Sequence, residues 1–187
     1  TQSRSSAASD VYKRQSLATL LEGNFIPKSL LPAYESVARD LLKRLDQLFA
    51  ENPAKAIRLH GDCHPGNLLC RDETYHMVDL DDCRMGPAIQ DLWMMLAGER
   101  HERLGQIAEL VDGYQEFHDF NPRELPLIEG FRSLRLMHYS AWLARRWDDP
   151  AFPQSFPWFG SERYWGEQIL MLREQIAALN EEPLRLF

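Results

Sequence analysis

The chain has 187 residues, of which 44% are hydrophobic, and a formal net charge of -7. This length and apolar content suit one folded domain or one large lobe of a longer enzyme. The acidic balance disfavours a nucleic-acid surface, which needs clustered Lys and Arg on one face. No apolar run approaches the roughly 18 residues of a membrane span, and no signal-peptide block begins the chain, so we expect a cytoplasmic protein with no membrane or nucleic-acid partner.

The first fifteen residues differ in composition from the rest. TQSRSSAASDVYKRQ is polar, Ser-rich and almost without apolar periodicity, and Leu-rich sequence follows it at once. Such a composition does not supply enough apolar surface to join a folded core. We predict that residues 1–15 form a non-native or disordered leader and that residues 16–187 form the folded lobe.

A core-facing helix is the first element that the pattern predicts. Between Leu30 and Ala50, apolar residues recur at spacings of three and four, as one face of a helix requires: Val37, Leu41, Leu42, Leu45, Leu48 and Phe49. Short apolar stretches then predict strands over residues 56–59, 67–70 and 75–80. The polar segment 71–74 lies between the last two strands and predicts a hairpin.

After Gly86-Pro87 the pattern is almost entirely helical. It predicts helices over residues 89–98, 104–117, 125–147 and 164–179. Between the last two lies a Pro-rich loop, AFPQSFPWFG, whose aromatic residues we expect to pack onto the helices: Phe152, Phe156, Trp158 and Phe159. The fold class is therefore α+β and mostly α.

Residues able to carry chemistry concentrate in two stretches, HGDCHPGN (60–67) and VDLDD (78–82). The predicted hairpin would bring the oxygen-bearing side chains of Asp62, Asn67 and Asp79 close together at one site. Magnesium prefers a few protein oxygens and keeps room for waters and substrate phosphates. We therefore predict that Asn67 and Asp79 bind Mg²⁺ that bridges the phosphates of ATP. Asp62 would orient an acceptor hydroxyl and accept its proton.

These stretches, together with GPAIQDLW (86–93), resemble the aminoglycoside phosphotransferase and choline kinase superfamily. The pattern corresponds to the HxDxxxxN catalytic loop and the metal-binding Asp of protein kinases. Within the superfamily, the chain most resembles the bacterial stress response kinase A family of Ser/Thr protein kinases. The supporting segments are VDLDDCRMGPAIQDLWMMLAGER, LRLMHYSAWLARRWDDPAFPQSFPW and RYWGEQI, and the resemblance covers most of the chain from about Leu30 onward.

The resemblance implies that Asp62 is the catalytic base and that Asn67 and Asp79 bind magnesium. Strand alternation would place Asp81 on the same face as Asp79, so either carboxylate could reach the metal. The family pattern favours Asp79, the first Asp after the apolar strand.

Three further residues have supporting roles by the same resemblance. We expect His60 to brace the catalytic loop without taking part in the chemistry. For His64, a structural hydrogen bond and a weak participation in catalysis both stay open. Asp91 is expected to anchor the loop by accepting hydrogen bonds from its backbone.

The implied function is Mg²⁺-dependent transfer of the γ-phosphate of ATP to Ser or Thr of a protein in a stress response. Small-molecule kinases of the superfamily share the catalytic loop, so choline, homoserine or an aminoglycoside stays open as the acceptor. The implied fold is a protein-kinase-like C-terminal lobe. Nothing before Leu30 supplies a Gly-rich strand pair or a phosphate-clamping Lys. We expect a monomeric fragment, nearly inactive without an ATP-binding N-terminal lobe, and a non-catalytic binding or scaffold fragment is the alternative.

A hydrolase with a zinc site at His60, Asp62, Cys63 and His64 is a weaker interpretation. These ligands are crowded into five residues, no HExxH helix accompanies them, and the Pro-Gly-Asn that follows would have no role. A Cys-His nucleophile is no better supported, because neighbours on a tight loop point in different directions. The three cysteines form no CxxC pair, and we expect reduced thiols.

Overall fold

The computed structural model describes residues 14–186. Within this range the chain divides into two compact units, one of residues 14–50 and 129–181 and the other of residues 51–128 and 182–186. Residues 1–13 of the predicted leader lie outside the described residues, and residues 14 and 15 belong to a helical segment. None of the helices within residues 14–186 has the length and apolarity needed to cross a lipid bilayer.

Helices dominate both units, and the described strands are short. In chain order the elements are α1 (14–22), α2 (Leu31–Glu51), β1 (Ile57–Leu59), β2 (Leu68–Arg71), β3 (Thr74–Met77), β4 (Arg84–Gly86), α3 (Ile89–Leu92), α4 (Arg100–Gln115), α5 (Ile128–Arg145), α6 (Ala151–Ser155) and α7 (Glu162–Ala178). Short 3₁₀ segments cover Pro65–Asn67, Leu80–Asp82, Trp93–Met95 and Pro122–Leu127. The predicted α+β, mostly helical class is confirmed.

The core of the first unit is built on the apolar face of α2. Val37, Leu41 and Leu45 are buried, and the remaining predicted face residues pack against the same core: Leu42, Leu48 and Phe49. Burying one such side chain stabilises a fold by about 1.5–3 kcal/mol. Tyr34 and Trp165 lie at the centre of this core with ring centroids 5.0 Å apart in an edge-to-face arrangement. The helix predicted from periodicity is confirmed to within one residue at each end.

The aromatic segment between α5 and α7 was predicted to be a loop, and this prediction was wrong for residues 151–155. They form α6, in which Pro153 lies in the first turn. A proline is tolerated there because the first N–H groups of a helix have no intrahelical acceptor. The predicted packing is confirmed for Phe159, which is fully buried, and for Phe152 and Phe156. Trp158 contacts Tyr164 but remains 39% exposed.

The second unit contains two antiparallel pairs of strands. β1 pairs with β4, Ile57 opposite Gly86 and Leu59 opposite Arg84. β2 and β3 form the predicted hairpin, with Arg71 opposite Thr74. The two turn residues between them have positive φ, as a two-residue hairpin turn whose twist matches its strands requires. The hairpin is therefore confirmed.

The strand predicted over residues 75–80 was wrong beyond Met77. Asp79 adopts a left-handed backbone with φ 61° and ψ 67°, and a 3₁₀ turn over Leu80–Asp82 follows. A left-handed residue interrupts the extended backbone on which side chains alternate. Strand alternation therefore does not place Asp79 and Asp81 on one face.

Several helix boundaries also differ from the predictions. α4 begins at Arg100 instead of residue 104, because Glu99 and Glu102 form a capping box. α5 begins at Ile128, after a 3₁₀ turn that contains Pro126. The helix predicted over residues 89–98 is only the short α3 followed by one 3₁₀ turn.

Candidate active site

The loop of residues 60–67 lies against the segment of residues 79–82, because the strands on either side pair. β1 leads into the loop, and β4 follows the acidic segment. At Gly61, where φ is 88°, a Cβ atom would clash with the carbonyl oxygen of Asp82 and lie 2.9 Å from Nε of Arg84. Glycine is the residue that accommodates both the positive φ and this close approach.

Val78 is held by the loop on both of its backbone polar groups. Its N–H donates to the carbonyl oxygen of Asn67 over 3.0 Å. Its own carbonyl oxygen lies 2.8 Å from Nε2 of His60. The residue immediately before Asp79 is therefore tied to the start and to the end of the loop.

Asp62 is a partly exposed carboxylate surrounded by groups of the same loop. Its side chain is 22% exposed, and Oδ2 lies 3.4 Å from Nε2 of His64. The Asn67 amide donates to the Asp62 carbonyl oxygen over 3.0 Å and lies 3.5 Å from Oδ2. The loop thus presents a carboxylate that solvent reaches and that two neighbours orient.

Both histidines of the loop have a tautomer that their hydrogen bonds determine. Nδ1 of His60 accepts from the N–H of Asp62, so Nε2 carries the proton that is donated to Val78. Nδ1 of His64 accepts from the N–H of Gly66 over 3.0 Å, which leaves an Nε2–H facing Asp62. His60 is buried and spans the loop and Val78, whereas His64 contacts the carboxylate itself.

Asn67 and Asp79 carry oxygen atoms of the kind that magnesium binds in proteins. The NH₂ group of Asn67 donates to Asp62, so its Oδ1 is the atom left for a cation. Asp79 is exposed and can keep water ligands on a bound ion. One amide oxygen and one carboxylate beside open solvent fit magnesium.

The described residues do not favour a zinc site. Within residues 14–186, no group of three or more His, Cys, Asp and Glu side chains is arranged to hold a metal ion. Asn67 and Asp79 would form a different kind of site, because they combine a single carboxylate with an amide oxygen. Both ring nitrogens of His60 are engaged in hydrogen bonds, as is Nδ1 of His64.

Asp91 lies on α3 and holds the backbone at the start of the loop. Its Oδ2 accepts from the N–H of His60 over 2.7 Å, and its Oδ1 accepts from the N–H of Gly61 over 2.9 Å. Hydrogen bonds to an ionised acceptor are shorter and stronger than neutral ones. One carboxylate therefore fixes two successive peptide groups directly before Asp62.

Asp81 and Asp82 lie in the 3₁₀ turn after Asp79, and both are exposed. The carboxylate of Asp82 forms an ion pair with Arg84 over 2.9 Å. A part for Asp81 in metal binding stays a prediction.

Cys63 is a buried residue of the loop, and its surroundings disfavour the thiolate form. Burial, and then the nearby carboxylates of Asp91 and Asp62, raise the pKa of the Cys63 thiol to about 11. Since the thiolate is the reactive and metal-binding form, this environment disfavours both the nucleophile and the zinc interpretation. Cys63, Cys70 and Cys83 are all free thiols.

Glu124 is a residue of this unit that sequence reasoning missed. It is buried within the 3₁₀ turn Pro122–Leu127, and its Oε2 accepts from the N–H of Ile89 over 3.1 Å. Its partner is 35 positions away in the chain, so no local pattern signals the contact.

The profile of the phosphotransferase enzyme family matches residues 16–128, a range that includes the loop, the acidic segment and Asp91. The chain belongs to this family. It is 45% identical to stress response kinase A of Escherichia coli O157:H7 over 165 residues, which are 88% of this chain and 50% of that protein. The same comparison with the protein of E. coli K12 gives 44%.

Serine/threonine protein kinase RdoA of Salmonella typhimurium is 45% identical over 161 residues, 86% of this chain and 48% of that kinase. The chain thus spans about half the length of the curated relatives that it matches.

Proposed function

We propose that this chain carries the catalytic base and the metal-binding residues of an ATP-dependent phosphotransferase. The observation that supports this most is the loop of residues 60–67. It holds a partly exposed Asp62 beside Asn67, and Asp91 fixes the backbone immediately before it. In phosphoryl transfer most catalysis comes from positioning and electrostatic stabilisation, and a loop held by these hydrogen bonds would supply the positioning.

In the proposed reaction an acceptor hydroxyl oxygen attacks the γ-phosphorus of ATP. The bond between that phosphorus and the β–γ bridging oxygen breaks, ADP leaves, and the hydroxyl proton passes to the carboxylate of Asp62. The Nε2–H of His64, 3.4 Å from Oδ2, keeps that carboxylate oriented. His60 braces the loop through its hydrogen bond to Val78.

Asn67 and Asp79 would hold the magnesium ion. When bound, the ion neutralises the charge of the transferring phosphates. The N–H of Val78 donates to the carbonyl oxygen of Asn67, which brings the residue before Asp79 to the end of the loop. Asn67 and Asp79 are therefore both located at this end of the loop.

As acceptor we propose Ser or Thr side chains of proteins in a stress response. The names of the relatives, stress response kinase A and serine/threonine protein kinase, support this choice. The loop residues do not distinguish a protein hydroxyl from that of choline, homoserine or an aminoglycoside. We further propose that the protein is a cytoplasmic monomer.

We also propose that an ATP-binding N-terminal lobe of the longer protein docks on the β2–β3 hairpin. The hairpin exposes Leu69, Tyr75 and Met77, with Tyr75 72% exposed. Tyr75 and Met77 lie two positions apart in β3 and share one face of the hairpin, whereas Leu69 lies on the other face. Neighbouring exposed apolar side chains, such as Tyr75 and Met77, mark interaction surfaces. The relatives are about twice as long as the matched region, which leaves room for such a lobe.

The test uses the protein expressed from its full-length gene. Transfer of labelled γ-phosphate from ATP is measured with and without Mg²⁺, to the protein itself, to casein, to choline and homoserine, and to an aminoglycoside. Mg²⁺-dependent transfer to protein supports the proposal. Transfer to a small molecule alone keeps the phosphotransferase but changes the acceptor class, and absence of any transfer contradicts the proposed function.

A further inference from the structure

Glu124 is a buried carboxylate that the reaction described above does not use. Its side chain lies in the 3₁₀ turn Pro122–Leu127, which Asn121 caps by accepting from the N–H of Arg123. Glu124 is only 4% exposed. Removing a carboxylate from water is costly unless hydrogen bonds compensate it, so the partners of this group indicate its role.

Those partners are the first peptide groups of α3. Oε2 of Glu124 accepts from the N–H of Ile89 over 3.1 Å, and the backbone of Ala88 also donates to the carboxylate. The next N–H groups of α3 already have acceptors, since Gln90 donates to Pro87 and Asp91 donates to Ala88. Glu124 therefore satisfies the groups that the start of this helix leaves without an acceptor.

The same short helix carries Asp91, whose two carboxylate oxygens hold the N–H groups of His60 and Gly61. α3 has four residues, too few to hold its own position by internal hydrogen bonds. The carboxylate at its start is thus one link in a continuous series of contacts that ends at the residue before Asp62.

We propose that Glu124 is a positioning residue for phosphoryl transfer, acting through α3 and Asp91 on the backbone that presents Asp62. The proposal rests on the phosphotransferase function proposed above. An apolar side chain at this position would be easier to bury, but it would leave both backbone donors unsatisfied.

Two opposing effects act on the pKa of the Glu124 carboxyl. Burial is the larger effect and raises the pKa of the Glu124 carboxyl above its ordinary value, and the hydrogen bonds from Ile89 and Ala88 offset part of that rise. These backbone donors of α3 thus oppose the effect of burial and stabilise the charged carboxylate.

The first experiment compares Glu124→Gln with wild type in the full-length protein, with kcat corrected for the folded fraction. Glutamine keeps one acceptor but loses the charge and points an NH₂ group at a backbone donor. We expect kcat to fall about tenfold and KM for ATP to change by less than about twofold, because a displaced loop loses transition-state positioning. Glu102→Gln is the matched control. Glu102 also caps a helix in this unit, but that helix is α4, and kcat of this variant should be unchanged.

A double-mutant cycle separates positioning from simple destabilisation. If Glu124 acts through Asp91, adding Glu124→Gln to Asp91→Ala should lower kcat by less than about twofold further. A full tenfold loss in that background would overturn the proposal, as would an unchanged kcat in the single variant.

The amide signals of His60 and Gly61 in a ¹⁵N spectrum of the full-length protein give a readout that does not depend on activity. Glu124→Gln should shift these two signals and speed their hydrogen exchange, whereas Glu102→Gln should leave them unchanged. If wild type transfers no phosphate, the proposed function fails while these signals still decide the positioning claim. Unmoved signals in a folded Glu124→Gln protein would overturn it.

Discussion

Replacing Gly61 with alanine tests whether the loop is pressed against the acidic segment. The residue has φ 88°, and a Cβ there would collide with the carbonyl oxygen of Asp82. A left-handed conformation costs an L-residue about 1–2 kcal/mol. Relief of the collision would pull the Gly61 N–H away from Asp91, and a hydrogen bond to a charged group contributes about 1.5–3 kcal/mol. We expect a loss of about 2.5–5 kcal/mol in the free energy of unfolding.

Urea unfolding followed by far-UV circular dichroism and by tryptophan fluorescence measures this loss. Gly105→Ala is the matched control, because Gly105 lies within α4 and a Cβ added to it would meet no atom within 4 Å. In a helix interior the same substitution should stabilise the protein by about 0.5–1 kcal/mol. Equal midpoints and slopes for the two variants would refute the close approach of the loop to Asp82.

Two further predictions concern the thiols and the hairpin. At pH 7.5 iodoacetamide should alkylate the exposed Cys70 and Cys83 and spare Cys63, because the raised pKa of Cys63 keeps its thiol protonated. A peptide map measures the modification of each cysteine, and labelling of Cys63 as fast as that of Cys70 would contradict this prediction. The chain alone should bind a hydrophobic dye, and the double variant Tyr75→Lys with Met77→Lys should lower the dye fluorescence about twofold or more. If the variant and the unchanged chain give equal fluorescence, the hairpin is not the docking surface.

The elements that could be predicted from sequence are those that local chemistry determines. The three-four spacing of Val37, Leu41 and Leu45 shows in the structure as the buried face of α2. The polar segment between the strands forms the hairpin turn, and both of its central residues adopt positive φ. The Asp62–Asn67 proximity also follows from their shared tight loop, where the Asn67 amide reaches the carbonyl oxygen of Asp62.

The elements that could not be predicted depend on backbone conformation or on distant partners. The strand before Asp79 ends early because Asp79 adopts a left-handed backbone conformation. An Asp tolerates this conformation, but the presence of an Asp in a sequence does not predict it. α6 forms in a segment whose prolines favour a loop. The contact of Glu124 with Ile89 joins two short helical turns far apart in the chain, and only the folded unit brings them together.

The role of Asp62 is tested most directly by the kcat of the full-length protein carrying Asp62→Asn. Asparagine keeps the size of the side chain but cannot accept the hydroxyl proton, so kcat should fall by about 10²–10⁴-fold, the usual contribution of a general base. Asp112→Asn, at an exposed position of α4, is the matched control and should keep full activity. Wild-type kcat in folded Asp62→Asn protein would contradict the assignment of Asp62 as the catalytic base.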